Sequence, residues 1–403
     1  MILGDVILLE SQKKDHPASV RSFLAALPKK KLYGFGTYNY CKDGCLHTHF
    51  EKPPWQAIKE FQKSEKDWMF GYLGYDLKNY TEKLTSNNAA FSNLPNYYFM
   101  IPGLLIEIES NGTYKVLKGK VPEYDASKIC ESEHRSVKIT NEKSISQHEY
   151  QSKVRMALEL IHKGEIYEVN YSYLKQFNFE GSGWNLYQSM KDVGPVPFGA
   201  FLKIDDIEVS CASPERFLKR ERDKVFSQPI KGTISNSTEH DITHLKSEKN
   251  LAENLMIVDL VRNDLNRVAV PNSVHVSNLF EIQSFNTVHQ LVSTIEAKVE
   301  ANTHSVDILK ACFPMGSMTG APKIAAMEAI EKLEDYQRGL YSGAIGYFKP
   351  DGDFDFNVVI RTSIIENGKL MYPVGGAITS DSSPEDEWKE TLIKTEALKK
   401  ACK

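Results

Sequence analysis

Long apolar runs are absent from this sequence. No window approaches the roughly 18 consecutive apolar residues that a membrane-spanning helix needs. An excess of positive charge is absent too. Lys and Arg number 49 against 53 Asp and Glu, giving a net charge of -4 over 403 residues. A nucleic-acid-binding chain usually shows a basic domain or stripe, so nothing favours that class. Cysteine is sparse: the six are scattered along the chain. This argues against a disulfide framework and for reduced thiols in a cytoplasmic protein. The N-terminus, Met1 to Ser11, lacks the basic segment and small-residue cleavage site of a signal peptide and reads as a first strand. What remains is ordinary globular material, 41% hydrophobic and 25% charged, enough for a large core.

Residues 1 to roughly 110 alternate strand-like and helical stretches. Leu32 to Tyr38 and Trp68 to Leu77 are aromatic, Gly-spaced strands, and Pro54 to Lys63 suits a short helix. Asn111-Gly112 between two apolar runs predicts a hairpin. Ala126 to Glu142 is polar and is the best linker candidate. Ser146 to Lys163 reads as a helix, with Tyr150, Val154, Leu158 and Ile161 on one face and a capping box from Ser146 and Glu149. Ile166 to Leu174 follows as a strand, and Phe198 to Ile204 with Ile207 to Ala212 as a hairpin. One cluster, Cys41, Cys45, His47 and His49, holds zinc-ligand types, and strand alternation would set all four on one face. Zinc sites more typically use separated ligand pairs, and a polar edge hairpin accounts for the cluster equally well.

The chain is organised around Gln228 to Asp264. Gln228-Pro229-Ile230-Lys231-Gly232-Thr233 presents a lysine at a tight turn, since Pro229 lacks a backbone donor and Gly232 permits positive φ. The continuation reads as a helix with Leu251, Leu255, Val258 and Val261 on its apolar stripe. Glu253, Asp259, Arg262, Asn263 and Asp264 then fall partly off that stripe, as they would on a solvated face with ion pairs or beside a cleft. Gly316 to Lys323 is a flexible loop entering a helix whose stripe is Ile324, Met327, Ile330 and Leu333. Free N–H groups at such a start suit a carboxylate or phosphate, although a plain helix entry has the same pattern. Tyr341 to Phe348 and Phe356 to Ser363 predict paired strands. Arg361, in an apolar strand, needs an acid or an anionic ligand. The last helix begins near Ser383-Pro384, with Glu385, Asp386, Glu387 and Glu390 in its first turns. The helix dipole favours acids there, but Glu387 and Glu390 also share a face. With Glu253 they have the donor chemistry for a hard divalent cation, which takes few carboxylates and keeps water.

Together these stretches resemble the chorismate-binding enzymes, the family of anthranilate synthase, aminodeoxychorismate synthase, isochorismate synthase and salicylate synthase. The resemblance rests on Ser213-Pro214-Glu215-Arg216-Phe217, Pro229 to Thr233, Glu253 to Asp264, Gly316 to Lys323, Tyr341 to Tyr347, Ile360-Arg361-Thr362 and Gly375 to Glu390, in that order. It covers roughly Ser146 to Cys402, with a weaker match before. It implies an α+β fold with a large two-layer β-sandwich core flanked by helices. Residues 1–145 form an N-terminal region interleaved with the chorismate-binding catalytic region, 146–403, in one bilobed unit. It implies Mg²⁺ held by Glu253 and Glu390 with Glu387 close by, bound to the ring carboxylate and drawing electron density from the ring. Arg361 and Tyr341 would take the enolpyruvyl carboxylate. Thr233, the Gly316 to Thr319 loop, and the backbone at Gly376 and Ala377 would complete the pocket.

Lys231 selects the branch. Anthranilate synthases resemble this stretch with alanine there; the aminodeoxychorismate-forming members carry lysine. The resemblance then implies attack by the Lys231 amine on ring C2, Glu215 as general acid for the C4 hydroxyl, and ammonia as the second nucleophile. Burial near Mg²⁺ should lower the lysine pKa. The product would be 4-amino-4-deoxychorismate, destined for p-aminobenzoate and folate. No cysteine sits in a convincing glutaminase setting, so ammonia comes from solution or from a separate glutamine amidotransferase. Four departures stand out: Glu168 where glutamine is more usual, Ile234-Ser235-Asn236 after Thr233, Gln290 where anthranilate synthases have histidine, and Ala377 for glycine. Leu8-Leu9-Glu10-Ser11 matches a tryptophan-pocket string, while Pro195 to Gly199 lacks the tyrosine–methionine pair of feedback-regulated members. The alternatives are anthranilate synthesis and a non-catalytic chorismate-binding subunit.

Overall fold

Alternation along the strands sets the architecture. In the strand Tyr97–Glu109, Phe99 and Ile101 join one hydrophobic cluster while Tyr98 and Met100 join another. On its neighbour Met69–Leu73, Met69 and Leu73 divide from Phe70 and Tyr72 in the same way. Successive strand residues point to opposite faces, so this sheet is covered on both. The structure is a computed structural model that describes residues 4–12, 21–122, 136–235, 245–284 and 288–402.

Helices cover the outside: α1 (Pro54–Glu65), α2 (Gln147–His162), α3 (Gly183–Val193), α4 (Glu248–Asn266), α5 (Ser305–Cys312), α6 (Lys323–Leu333) and α7 (Pro384–Ala401). The cluster containing Phe99 also takes Trp55 and Phe61 of α1, Ile257 and Val261 of α4, and Leu309 of α5. The cluster containing Tyr98 takes Leu202, Val209 and Ile364 from the strands Phe198–Ile204, Ile207–Ser213 and Thr362–Glu366. A second sheet layer therefore faces the first. Its far side, with Tyr171, Tyr173, Leu370 and Tyr372, packs on α2, α3, α6 and α7. The result is α+β, two sheet layers between two sets of helices. Among the described residues, hydrogen bonding links 21 strands into one network. Strand Val6–Glu10 joins the layers, pairing with Arg21–Phe35 on one side and Phe198–Ile204 on the other.

Several expectations match in detail. Ser146 caps α2, and both halves of the capping box form. The Asn111-Gly112 turn joins Tyr97–Glu109 to Tyr114–Lys118, with Gly112 at φ 87°.

Others are corrected. The buried stripe of α4 is Ile257, Val258, Val261 and Leu265; Leu255 faces outward. The helix is turned so that Asn254, fully buried, takes the hydroxyl hydrogen of Ser293 at Oδ1. In α6, Ile324 is likewise exposed. The expected linker falls partly outside the described residues, but Lys138–Lys143 is a strand paired with Gln176–Glu180. Cys41 pairs with Thr48, whereas His47 and His49 pair with Lys42 and Tyr40. The hairpin turn therefore sets Cys41 on the face opposite the two histidines, and the zinc arrangement is not formed.

Candidate active site

A cavity of about 530 Å³ opens between the sheet edge, α4 and α7. It is lined by Glu215, Lys231, Glu253, Tyr341, Arg361, Ala377, Glu387 and Glu390, eight of the twelve predicted residues. They come from segments far apart in sequence, delivered by different local devices.

Lys231 sits in the strand Ile230–Ser235, not in a turn. The pairing with Val288–Lys298 shifts register between Lys231 and Thr233, and Gly232 has φ 71°. This is a bulge, which re-aims a side chain at a sheet edge. Lys231 Nζ lies 3.5 Å from Glu168 Oε1 and 3.7 Å from Glu253 Oε2. Burial, the largest influence, pulls the lysine pKa down. Glu168, Glu253, Glu215 and Glu390 together outweigh it and hold the pKa above its ordinary value. Four carboxylates stabilise the ammonium; the expected lowering concerned burial beside Mg²⁺.

Glu215 follows the strand Ile207–Ser213, and its N–H donates to Ser213 Oγ at 3.2 Å. Its carboxyl is buried and accepts from Ser317 Oγ at 2.8 Å. Burial pushes its pKa up to about 7, against the opposing pull of Ser317, Lys231 and Arg361. A carboxyl near that value is protonated often enough at neutral pH to act as an acid.

Arg361 lies outside the strands. The chain leaves the sheet after Asn357, Arg361 takes φ 51°, and pairing resumes at Thr362. A non-glycine residue in that region marks a strained position in a break. No acidic side chain among the described residues forms an ion pair with its guanidinium, whose pKa burial lowers. A cation of this kind beside Tyr341 and Tyr372 suits a carboxylate ligand.

The acids of α7 have partners of their own. Glu387 is buried and accepts from Ser382 Oγ at 2.7 Å. Glu390 pairs with Lys394 at 2.6 Å, and Lys394 also donates to Gly375 O at 2.8 Å. Among the described residues no three His, Cys, Asp or Glu side chains converge as a ready metal cluster. Glu253, Glu387 and Glu390 nonetheless face one cavity, and Gly376 abuts the last two. A Cβ there would stand 3.3 Å from Glu387 Oε2 and 3.5 Å from Glu390 Oε1. Oxygen-only donors, few in number and beside open space, fit Mg²⁺.

Gly316 and Thr319 are placed behind the wall. The turn Gly316–Met318 is a single tight 3₁₀ turn, so Ser317 and Met318 face the cavity instead. Thr319 Oγ1 donates to Met315 O and Gly316 O, both at 3.2 Å. Thr233 contributes backbone pairing with Gln290. Of the other departures, Ile234 and Ser235 continue this strand, and Asn236 lies outside the described residues. Within the expected Gly316 to Thr319 loop the pocket takes Ser317, and the sequence reading missed Asn170, Tyr372 and Lys394. Lys394 was legible, being four residues after Glu390 on a helix; Asn170 and Tyr372 had no local signal.

The fold and this lining define the class. The profile of the chorismate binding enzymes matches residues 4–400, and the chain belongs to that family. It is 32% identical over 421 residues to aminodeoxychorismate synthase component 1 of Escherichia coli, covering 98% of this chain and 92% of that one. It is 33% identical over 449 residues to a probable chloroplastic aminodeoxychorismate synthase of Oryza sativa, covering 96% of this chain but only 50% of the rice protein. The chain thus spans about half the length of some curated relatives. The crystal structure of anthranilate synthase component I from Streptococcus pneumoniae superposes with a TM-score of 0.82 at 25% identity, over 95% of this chain and 93% of that one.

Proposed function

We propose that this chain converts chorismate and ammonia to 4-amino-4-deoxychorismate. The observation that carries the reading is Lys231, an amine brought by a bulge to the same cavity as the raised-pKa carboxyl of Glu215. The names of the E. coli and rice relatives support it. Anthranilate synthesis would not call for a lysine at that point.

Arg361 and Tyr341 bind the enolpyruvyl carboxylate. The neutral Lys231 amine attacks ring C2, and the C4 hydroxyl departs as water with the proton of Glu215. Ammonia then adds at C4, the lysine leaves C2, and the proton lost by the new ammonium returns to Glu215. The sum is chorismate plus ammonia to aminodeoxychorismate plus water. Glu253 and Glu390, with Glu387 nearby, would hold Mg²⁺. Bound there, the dication would offset the pull of those carboxylates on Lys231 and draw electron density from the ring carboxylate. Ammonia comes from solution or from a separate glutamine amidotransferase. The protein acts in the cytoplasm as one bilobed unit; among the described residues no helix is long and apolar enough to cross a membrane.

The test is direct. The purified chain is mixed with chorismate, Mg²⁺ and ammonium at mildly alkaline pH and the products are identified by chromatography and mass spectrometry. Aminodeoxychorismate, absent without ammonium, is expected. Anthranilate, isochorismate or salicylate as the main product would overturn the reading. Unreacted chorismate, with or without an added amidotransferase, would leave a binding subunit.

A further inference from the structure

Behind the cavity lies an ion pair that takes no part in the reaction just described. Arg338 and Glu334 are both 1% exposed at the side chain and pair at 2.6 Å. A guanidinium has five N–H donors, and here all five are used. Nε and one Nη2 hydrogen go to Glu334 at 2.9 and 2.6 Å. The other Nη2 hydrogen goes to Asn170 O at 2.6 Å. The two on Nη1 go to Met318 O at 2.7 Å and Ser342 Oγ at 3.1 Å. Glu334 in turn accepts from the N–H and Oγ of Ser172 at 2.9 and 2.7 Å. The Arg338 carbonyl accepts from Tyr341 N–H at 3.0 Å, and the guanidinium lies over the Tyr341 ring.

Asn170, Met318 and Tyr341 all line the cavity, and they come from three separate segments. Asn170 begins the strand side, Met318 ends the 3₁₀ turn, and Tyr341 precedes the strand Ala344–Phe348. Among the described residues Asn170 Oδ1 is buried without a partner while its main-chain oxygen is fixed. Its side-chain amide donates to Ser317 O at 3.2 Å and its N–H to Thr319 O at 2.8 Å, so Asn170 already ties the strand to the 3₁₀ turn that Arg338 also holds.

We propose that Arg338, anchored by Glu334, is a positioning residue that clips three walls of the substrate cavity, Asn170, Met318 and Tyr341, into register. The proposal rests on the functional reading only in taking this cavity as the substrate site. Stability alone is a poor reason for such a pair, because apolar replacements of buried ion pairs are often neutral or stabilising. A planar fork aimed in three directions is what a clip requires, and lysine cannot reproduce it.

The test uses the full chain with Arg338→Lys and the double variant Arg338→Met/Glu334→Gln, which removes the buried charges while leaving an acceptor for Ser172. Hydrogen exchange well below the thermal midpoint should speed up in residues 168–172, 315–320 and 339–343 and stay unchanged in the strand Tyr97–Glu109. In the variant that keeps its thermal midpoint, KM for chorismate should rise and kcat should fall. The combined loss in kcat/KM should be on the order of a hundredfold, as small misplacements of substrate groups can cost. Exchange that is unchanged, or raised evenly through the core, would overturn the clip. So would wild-type kcat/KM in Arg338→Lys. If the wild-type chain does not turn over chorismate, the functional reading fails instead, and the exchange pattern alone decides the clip.

Discussion

The Ser317 hydroxyl donates to Glu215 Oε1 at 2.8 Å. This bond stabilises the charged carboxylate and so works against the burial that raises its pKa to about 7. A general acid must be protonated, so kcat/KM for chorismate should fall as pH rises through about 7. Ser317→Ala should move that limb to higher pH by up to about one unit. The check is a pH–rate profile at constant free ammonia; an unshifted limb would separate Ser317 from the acid.

Lys231→Ala removes the proposed nucleophile. Aminodeoxychorismate formation should drop on the order of a thousandfold or more, with slow anthranilate formation left. Product analysis by mass spectrometry decides, and unchanged turnover would eliminate the covalent role.

Glu253→Gln should lose activity together with its response to Mg²⁺. Glu253 reaches the cavity from α4, opposite the acids of α7. A titration of rate against Mg²⁺ reads this; a variant that Mg²⁺ still activates would remove Glu253 from the metal site.

Gly376→Ala presses a methyl group against Glu387 and Glu390 at 3.3 and 3.5 Å. The Glu387 carboxylate must give by a few tenths of an ångström, while Glu390 stands at ordinary contact distance. We expect the Mg²⁺ concentration for half-maximal rate to rise several-fold to about tenfold, with the thermal midpoint little changed. Equal Mg²⁺ response in variant and wild type would refute this.

Asp76 accepts from Gly339 N–H at 3.0 Å in a buried setting, and burial pushes its pKa up from 3.8 to about 6. The folded state therefore binds this proton more tightly than the unfolded state. Its contribution is present below about pH 4 and is lost as pH rises through about 6, a change of about 1–3 kcal/mol. Asp76→Asn keeps an acceptor without the charge and should flatten that part of the stability profile. Denaturant unfolding at pH 4 to 7 tests it.

Local chemistry was well read where short-range rules act alone. The Ser146 box, the Asn111-Gly112 hairpin and the start of α7 at Pro384 needed only neighbours a few residues away. Periodicity located α4 and α6 but misplaced Leu255 and Ile324, because the buried face of a helix is chosen by what it packs on. Arg361 was read into a strand because its neighbours are β-formers; the break that turns it is imposed by two strands that pair with different partners.

The sequence by itself determined the family, through motifs whose order survives in one dimension, and the chemical types available: an amine at 231, a carboxyl at 215, acids at 253, 387 and 390. Only the tertiary structure decided their states. The Lys231 pKa is raised because Glu168, Glu253, Glu215 and Glu390, remote along the chain, meet around it and outweigh burial. Glu215 is raised because the fold closes over it. Coulomb interactions and desolvation depend on distance through space and on the exclusion of water, and neither is written in residue spacing.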